Sequence, residues 1–140
     1  MPTDTAKEIR DRAFAFGCKV ARLALSLTPR PGIRSLVDQL LRAGTSIGAN
    51  LEEAKAASTK REFLRDVEVS LREAREAWYW LRIYRELELG DPRTVAELVA
   101  EADSIIRILT SIVLSTKRRM VIVGIVPAFC ILNSALLLSS

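Results

Sequence analysis

The chain has 140 residues, 49% of them hydrophobic, and a formal net charge of +4 at pH 7. This is enough apolar material for one domain to bury a core without disulfides or metals, as an ordinary globular protein does. Its two cysteines, Cys18 and Cys130, lie far apart with no CxxC pair, which excludes a disulfide framework and a zinc site and fits a reducing cytoplasm.

The charges divide the chain into two parts. All 21 Lys and Arg and all 17 Asp and Glu residues fall between Asp4 and Arg119, and residues 120–140 carry none. We therefore predict one domain over residues 1–119, followed by an apolar tail over 120–140. The mildly basic balance permits an acidic partner such as nucleic acid but does not require one.

The first predicted helix begins after a cap at Thr3 or Asp4, and its charged N-terminus does not match a cleavable signal peptide. Residues 28–32 contain two prolines and a glycine, which predict the first corner. The apolar residues recur at steps of four and three, as in a bundle seam: Ile9, Ala13, Phe16, Val20, Leu23 and Leu27.

The second predicted helix spans residues 33–57, and its second half contains Gly44, Ser46, Gly48 and Ala49. Glycine within a helix costs about 0.5–1 kcal/mol relative to alanine, so a close tertiary contact is expected to compensate. Either a neighbouring main chain or a bulky aromatic side chain can come close there, and we expect the third helix to supply that bulk. The seam is Leu36, Leu40, Ala43, Ile47, Leu51 and Ala54.

Two cap signals place the remaining helices. Thr59 and Glu62 form a capping-box pattern at the start of the third helix, which ends before Gly90. Asp91 and Pro92 then begin a fourth helix that should end near 117–119, where cations suit its C-terminus. The third and fourth seams are Phe63, Val67, Leu71, Ala74, Trp78 and Leu81, and Val95, Leu98, Ala102, Ile105, Leu109 and Ile112.

Four amphipathic helices with short connections predict an all-α fold, an antiparallel up-down-up-down four-helix bundle with an apolar C-terminal extension. Charged residues of both signs cover the outer faces, and pairs such as Glu68 with Arg72 have the (i, i+4) order of a solvated helix.

Several elements in the middle of the chain resemble those of a known family. They are Gln39-Leu40, Ser46-Ile47-Gly48-Ala49-Asn50-Leu51-Glu52-Glu53, Arg61-Glu62-Phe63-Leu64 and Ser70-Leu71-Arg72-Glu73-Ala74. In this order they resemble the bacterial four-helix-bundle proteins found in intervening sequences of large-subunit ribosomal RNA genes. The accessory variability proteins of diversity-generating retroelements are similar. The resemblance covers about residues 14–114, with Glu53-Ala54 where the family usually has Glu-Gly.

The resemblance implies a homo-oligomer, typically a pentamer, with a role in nucleic-acid binding and, in the retroelement branch, in supporting a reverse transcriptase. It implies no enzymatic activity and no cofactor. The residues agree, since the chain has no histidine, no nucleophile and base pair and no metal-ligand cluster. Glu53 and Glu73 are the one acid–base arrangement worth naming.

Five polar residues fall at the edges of the second and third seams: Ser46, Asn50, Glu53, Ser70 and Glu73. If these helices pack antiparallel, the side chains can form one polar network that fixes the register between them. A ligand or nucleic-acid role is the alternative.

Basic residues at heptad spacing are the candidate phosphate contacts: Arg12 with Lys19, Arg65 with Arg72, and Arg75 with Arg82. The alternative is a solvated surface in which acidic neighbours form salt bridges with them. A second candidate cluster combines Arg30 and Arg34 with residues 117–119. The aromatic residues Trp78, Tyr79, Trp80 and Tyr84 suit either base stacking or core and subunit contacts.

The tail over residues 120–140 has the length and apolarity of a transmembrane helix, with basic residues before it on the cytoplasmic side. Gly124, Pro127 and Asn133 argue against a membrane span, and a segment packed on the bundle and a dispensable extension remain as alternatives. The first hypothesis is thus a cytoplasmic, non-catalytic, self-associating scaffold that binds nucleic acid or a nucleic-acid enzyme. The second is a membrane-tethered adaptor that acts through protein contacts.

Overall fold

The structure is a computed structural model that describes residues 3–124, and that part of the chain is all-helical. Helix α1 spans Thr3–Ser26, α2 Ile33–Ala56, α3 Lys60–Glu86 and α4 Pro92–Ile122. Each helix packs on the next, and α4 returns to α1, so that α1 and α3 lie diagonally across the bundle. The connections over 27–32, 57–59 and 87–91 are too short for a crossover, so successive helices run antiparallel. The predicted four-helix bundle is confirmed.

Both predicted caps form. The Thr59 hydroxyl accepts a hydrogen bond from the Glu62 amide (3.1 Å), and the Glu62 carboxylate accepts one from the Thr59 amide (3.3 Å). At the start of α4, the Asp91 carboxylate accepts from the hydroxyl (2.7 Å) and from the amide (2.8 Å) of Thr94, and these two hydrogen bonds hold the pKa of Asp91 below its usual value. The amides left open at the first turns of α3 and α4 are thus satisfied locally.

The corner between α3 and α4 depends on Gly90. Its φ of +76° lies in the left-handed region, and a Cβ atom there would lie 2.5 Å from Cδ1 of the buried Leu23. The corner is therefore closed against α1, which fixes where α4 begins.

The core follows the four predicted seams, but Leu27, Leu36 and Ile112 are only partly buried, and α3 differs further. Phe63 and Trp78 are only partly buried, whereas Ala77 and Tyr84 are fully buried. Because α3 packs against both α2 and α4, its buried face is wider than one seam. The two bulkiest residues of the predicted seam, Phe63 and Trp78, therefore lie at the edge of this buried face. The largest fully buried side chains include Phe16, Leu40, Ile47, Leu81, Tyr84, Leu98, Ile105 and Leu109.

The glycines of α2 accommodate α1, and the prediction that they accommodate aromatic residues of α3 is wrong. A Cβ atom on Gly44 would lie 2.8 Å from Cγ1 of Val20, and one on Gly48 would lie 3.6 Å from the main chain of Ala13 and Phe14. Gly17 of α1 comes equally close to the main chain of α2 at Gly44. Small residues on both helices therefore let two main chains approach.

Helix α4 continues beyond its predicted end at 117–119, because Met120 is buried in the bundle and extends the core by a further turn. No helix within residues 3–124 is long and apolar enough to cross a membrane. The predicted tail over 120–140 falls outside the described residues from position 125 onward.

Candidate nucleic-acid interface

The outward face of α3 carries a row of exposed arginines. Helical geometry of about 100° per residue places them within a sector about 100° wide, over about 32 Å along the axis. We call this row the arginine stripe, and its members are Arg61, Arg65, Arg72, Arg75 and Arg82. The two predicted pairs on α3 thus belong to one surface, and Arg61 extends it.

The acidic residues of α3 near this stripe bind cations of the neighbouring helices, although Glu68 itself lies within the sector of the stripe, between Arg65 and Arg72. The carboxylates of Glu73 and Glu76 both bind Arg42 of α2, Glu73 at 3.0 Å. Glu68 binds Nζ of Lys117 on α4 at 2.6 Å, so the predicted Glu68–Arg72 pairing is replaced by a contact between helices. The neutralising acids expected from the sequence therefore stabilise the packing of α3 on its neighbours.

The stripe keeps most of its positive charge. Arg65 donates to the adjacent Asp66 carboxylate at 3.0 Å, and Glu86 is exposed at the C-terminal end of the helix. Within residues 3–124, Arg61, Arg72 and Arg75 form no ion pair. Arg72 and Arg75, which are one turn apart, and Arg61 in the first turn of α3 therefore offer guanidinium groups to an anion without breaking an ion pair.

Aromatic side chains accompany the C-terminal half of the stripe. The Arg82 guanidinium lies over the Trp78 ring, 4.4 Å from its centre, and Tyr79 is 53% exposed. Trp80 is partly buried and donates from Nε1 to Glu76 at 3.2 Å, while Tyr84 is fully buried. Of the four predicted aromatic candidates, Tyr79 is the one presented mainly to solvent.

Arg12 does not belong to this surface. Its guanidinium donates to both oxygens of the Glu101 carboxylate at 3.0 Å and to the Ser104 hydroxyl at 2.8 Å. The Glu101 hydrogen bond raises the pKa of Arg12 above its ordinary value. Arg12 thus joins α1 to α4, and Lys19 is exposed on α1, diagonally across from α3. The six predicted basic residues therefore do not form one surface.

The second predicted basic cluster is also divided by the fold. Arg30 and Arg34 flank the corner between α1 and α2, whereas residues 117–119 lie in the last turns of α4. In an antiparallel bundle these positions lie at opposite ends. The proposed combination of the two groups is therefore wrong.

The predicted polar network does not form as one unit. Ser46 donates to the Arg42 carbonyl (2.6 Å) and Asn50 to the Ser46 carbonyl (2.8 Å), both within α2. Such bonds to the carbonyl four residues earlier are the common alternative for polar side chains inside helices. Glu53 is exposed on α2, and Glu73 binds Arg42, so these two carboxylates do not form an acid–base pair.

Two other contacts fix the register between α2 and α3. The buried Ser70 hydroxyl donates to the Ile47 carbonyl at 2.9 Å. Arg42 binds Glu73 and Glu76 together, and this arrangement lowers the pKa of Glu76 and raises that of Arg42. Ser70 was a predicted member of the network, but Arg42 was missed, because nothing in the local sequence pairs it with acids more than 30 positions later.

An exposed apolar row on α1 was also missed. We call it the α1 apolar stripe, and it consists of Phe14, Cys18, Ala21 and Leu25 at steps of four and three. Phe14 is 73% and Leu25 84% exposed. The stripe borders an apolar groove of about 380 Å³ between α1 and α2. The signal in the sequence was that these four apolar residues recur at the same steps as the core seam of α1 but on a different face of the helix.

Within the described range, no group of three or more His, Cys, Asp or Glu side chains is placed to hold a metal ion.

Comparison with known proteins gives two findings. The model of a family described as 23S rRNA-intervening sequence protein matches residues 6–111. The fold is similar to a solved protein of unknown function from the S23 ribosomal protein family of Bacteroides thetaiotaomicron VPI-5482, with 28% sequence identity and a TM-score of 0.70. That match covers 75% of this chain and 97% of the other. No curated protein matches the chain.

Proposed function

The chain belongs to the 23S rRNA-intervening sequence protein family, and from that premise we propose that it is a non-catalytic scaffold that binds nucleic acid through the arginine stripe of α3. The observation that supports this is the row of solvent-facing arginines on α3, three of which form no ion pair within residues 3–124. Glu68, Glu73 and Glu76 of the same helix are bound to cations of other helices.

The phosphate backbone is the ligand that this surface suits. Arginine donates two hydrogen bonds in a fixed fork that matches phosphate oxygens. Each phosphate neutralised releases counterions, so binding through five arginines predicts a slope of log K against log salt of roughly −3.5 to −4.5. Affinity should therefore fall steeply as salt rises.

The test is a salt series of filter-binding measurements on the full chain with structured RNA and with DNA. Replacing Arg72 and Arg75 by glutamine should weaken binding and make the slope shallower by roughly 1.4–1.8. The control replaces Lys19 and Arg22, both exposed on α1, by glutamine and removes the same charge. An unchanged slope for the α3 variant, or an equal change for the α1 variant, would contradict the proposal.

Self-association is the second part of the proposal, and the α1 apolar stripe supports it. Large exposed side chains such as Phe14 and Leu25 in one row are typical of a surface that another protein covers. The pentamer is the oligomer that the resemblance implies. In a ring, the arginine stripe would repeat around the assembly, and several weak contacts would act together on one nucleic acid.

The resemblance to retroelement accessory proteins implies a reverse transcriptase as protein partner, and we keep it as a finer version of the scaffold role. This version of the scaffold role requires that the gene lie beside a reverse transcriptase gene and that the two proteins copurify. The cytoplasm is the proposed location. The membrane-tethered alternative is separated from it by fractionation of the full chain and of a chain lacking residues 125–140, which leaves α4 whole.

A further inference from the structure

We infer that the arginine stripe binds single-stranded nucleic acid in preference to duplex, with Tyr79 as the residue on which a base stacks. The inference rests on the proposed function, since it names the form of nucleic acid that the same surface takes. It is carried by the position and exposure of one aromatic ring among the arginines.

Tyr79 lies in the stripe itself. It follows Arg75 by four residues and precedes Arg82 by three, which places it about 6 Å and 4.5 Å from them along the helix axis. Its side chain is 53% exposed although the bundle buries Tyr84 completely. Tyr79 therefore lies between two arginine positions that are about 10.5 Å apart along the helix axis.

The neighbours of Tyr79 orient its ring without stacking on it. The Trp80 ring meets it edge-on, with centres 5.1 Å apart and planes at 73°. Trp80 is in turn held by its hydrogen bond to Glu76. A ring fixed in this way loses little conformational entropy when a base stacks on it.

Arg82, three residues further along α3, provides a second planar group. Arg82 is held over the Trp78 indole at 4.4 Å, so its guanidinium is pre-ordered as a flat cation at the surface. Tyr79 and Arg82 together provide one stacking platform and one phosphate contact within a single helical turn. This combination of stacking and charge is how proteins bind unpaired strands.

Duplex nucleic acid does not use such a platform, because its bases are already stacked on one another. On a straight, convex helix face, a duplex can contact the arginines through phosphates alone. An unpaired strand gains the tyrosine contact in addition, which is worth roughly five- to a hundredfold in affinity. The surface therefore distinguishes single strands from duplex through base stacking on Tyr79, because the phosphate contacts with the arginines are available to both forms.

The experiment measures fluorescence anisotropy of the full chain with a 20-nucleotide oligouridine RNA and with a 20-base-pair RNA duplex, at one salt concentration and across a series. We expect Tyr79→Ala to weaken single-strand binding about tenfold and to leave duplex binding and both salt slopes unchanged. Tyr79→Phe should retain wild-type affinity. The matched control is Leu87→Ala, an exposed apolar residue at the end of α3.

The outcomes separate this inference from the proposed function. If neither RNA binds at low salt, the proposed function fails and the inference fails with it. If both bind but Tyr79→Ala weakens them equally, or if the duplex binds more tightly, the inference is overturned and the phosphate contacts remain. A change in oligomeric state in Tyr79→Ala without a change in RNA affinity would assign the ring to a protein contact and overturn the inference as well.

Discussion

Single residues decide how closely the helices approach. At Gly44 the methyl groups of the fully buried Val20 occupy the position that a Cβ atom would take, at 2.8 and 3.0 Å. One turn later, at Gly48, the nearest atoms are 3.6 Å away, which is ordinary contact. Two glycines of similar appearance in the sequence therefore have different roles.

Substituting each of these glycines by alanine should have opposite effects. Gly44→Ala overpacks a β-branched side chain that has little freedom to move, and should lower the free energy of unfolding by about 1–2 kcal/mol even after the gain in helix propensity. Gly48→Ala should raise it by up to about 1 kcal/mol. Urea denaturation at one protein concentration measures both. Equal effects at the two positions would show that Gly44 is not the point of closest packing.

Tyr84 predicts a pH dependence of stability. Its side chain is fully buried, its hydroxyl has no partner within residues 3–124, and burial raises its pKa from 10.0 to about 12. Because the unfolded chain releases this proton first, the tyrosine destabilises the folded state as pH rises from 10 to 12, by about 2–3 kcal/mol at the upper end. Below pH 10 this contribution is absent.

The variant Tyr84→Phe isolates that effect, since it has no proton to lose. At pH 7 it should be as stable as the wild type or slightly more stable, because it removes an unpaired buried hydroxyl. The difference in free energy of unfolding between the two proteins should widen in favour of the variant between pH 10 and 12. Parallel stability curves over that window would refute the assignment.

At the scale of the element, α3 combines two tasks on opposite faces. Its inner face contributes Ser70, which bonds the Ile47 carbonyl, and its flanks contribute Glu73 to Arg42 and Glu68 to Lys117. Its outer face is left with the arginine stripe. The ion pairs of Glu73 and Glu68 hold α3 against α2 and α4 and partly neutralise the carboxylates next to the stripe, so packing and binding are linked through one set of carboxylates.

At the scale of the whole molecule, two surfaces lie on diagonal helices. The α1 apolar stripe and the arginine stripe of α3 are on opposite sides of the bundle. A bundle that self-associates through α1 therefore leaves α3 open to another ligand. This arrangement is what a scaffold requires, since assembly and binding do not compete for the same surface.

Phe14→Glu tests the assembly. Placing a charge in the α1 apolar stripe should convert an oligomer to a monomer, because a carboxylate in an apolar interface is costly to desolvate. Sedimentation equilibrium measures the change, and the helical circular dichroism signal should persist because Phe14 is outside the core. Leu87→Glu, at an exposed leucine in the connection between α3 and α4, should leave the mass unchanged. A monomeric wild type, or an oligomer unaffected by Phe14→Glu, would refute this interface.

The local signals in this sequence determined most of the fold. The Thr59–Glu62 capping box, the Asp91–Pro92 start and the four-three spacing depend on residues within one or two turns of each other, so helix positions, caps and seams followed without tertiary information. The resemblance carried by residues 39–53 and 61–74 identified the family for the same reason, since the matching elements are contiguous in the chain.

Only the tertiary structure decided which charges remain available. Arg12 and Arg72 look alike in the sequence, but Arg12 is bound by Glu101, 89 residues away, and Arg72 faces solvent. The same holds for Gly44, whose partner Val20 is on another helix. The spacing of residues along one helix specifies which face of that helix each residue occupies. Ion pairs and close approaches depend in addition on which face of the neighbouring helix is turned towards that residue, and this is decided only when the helices pack.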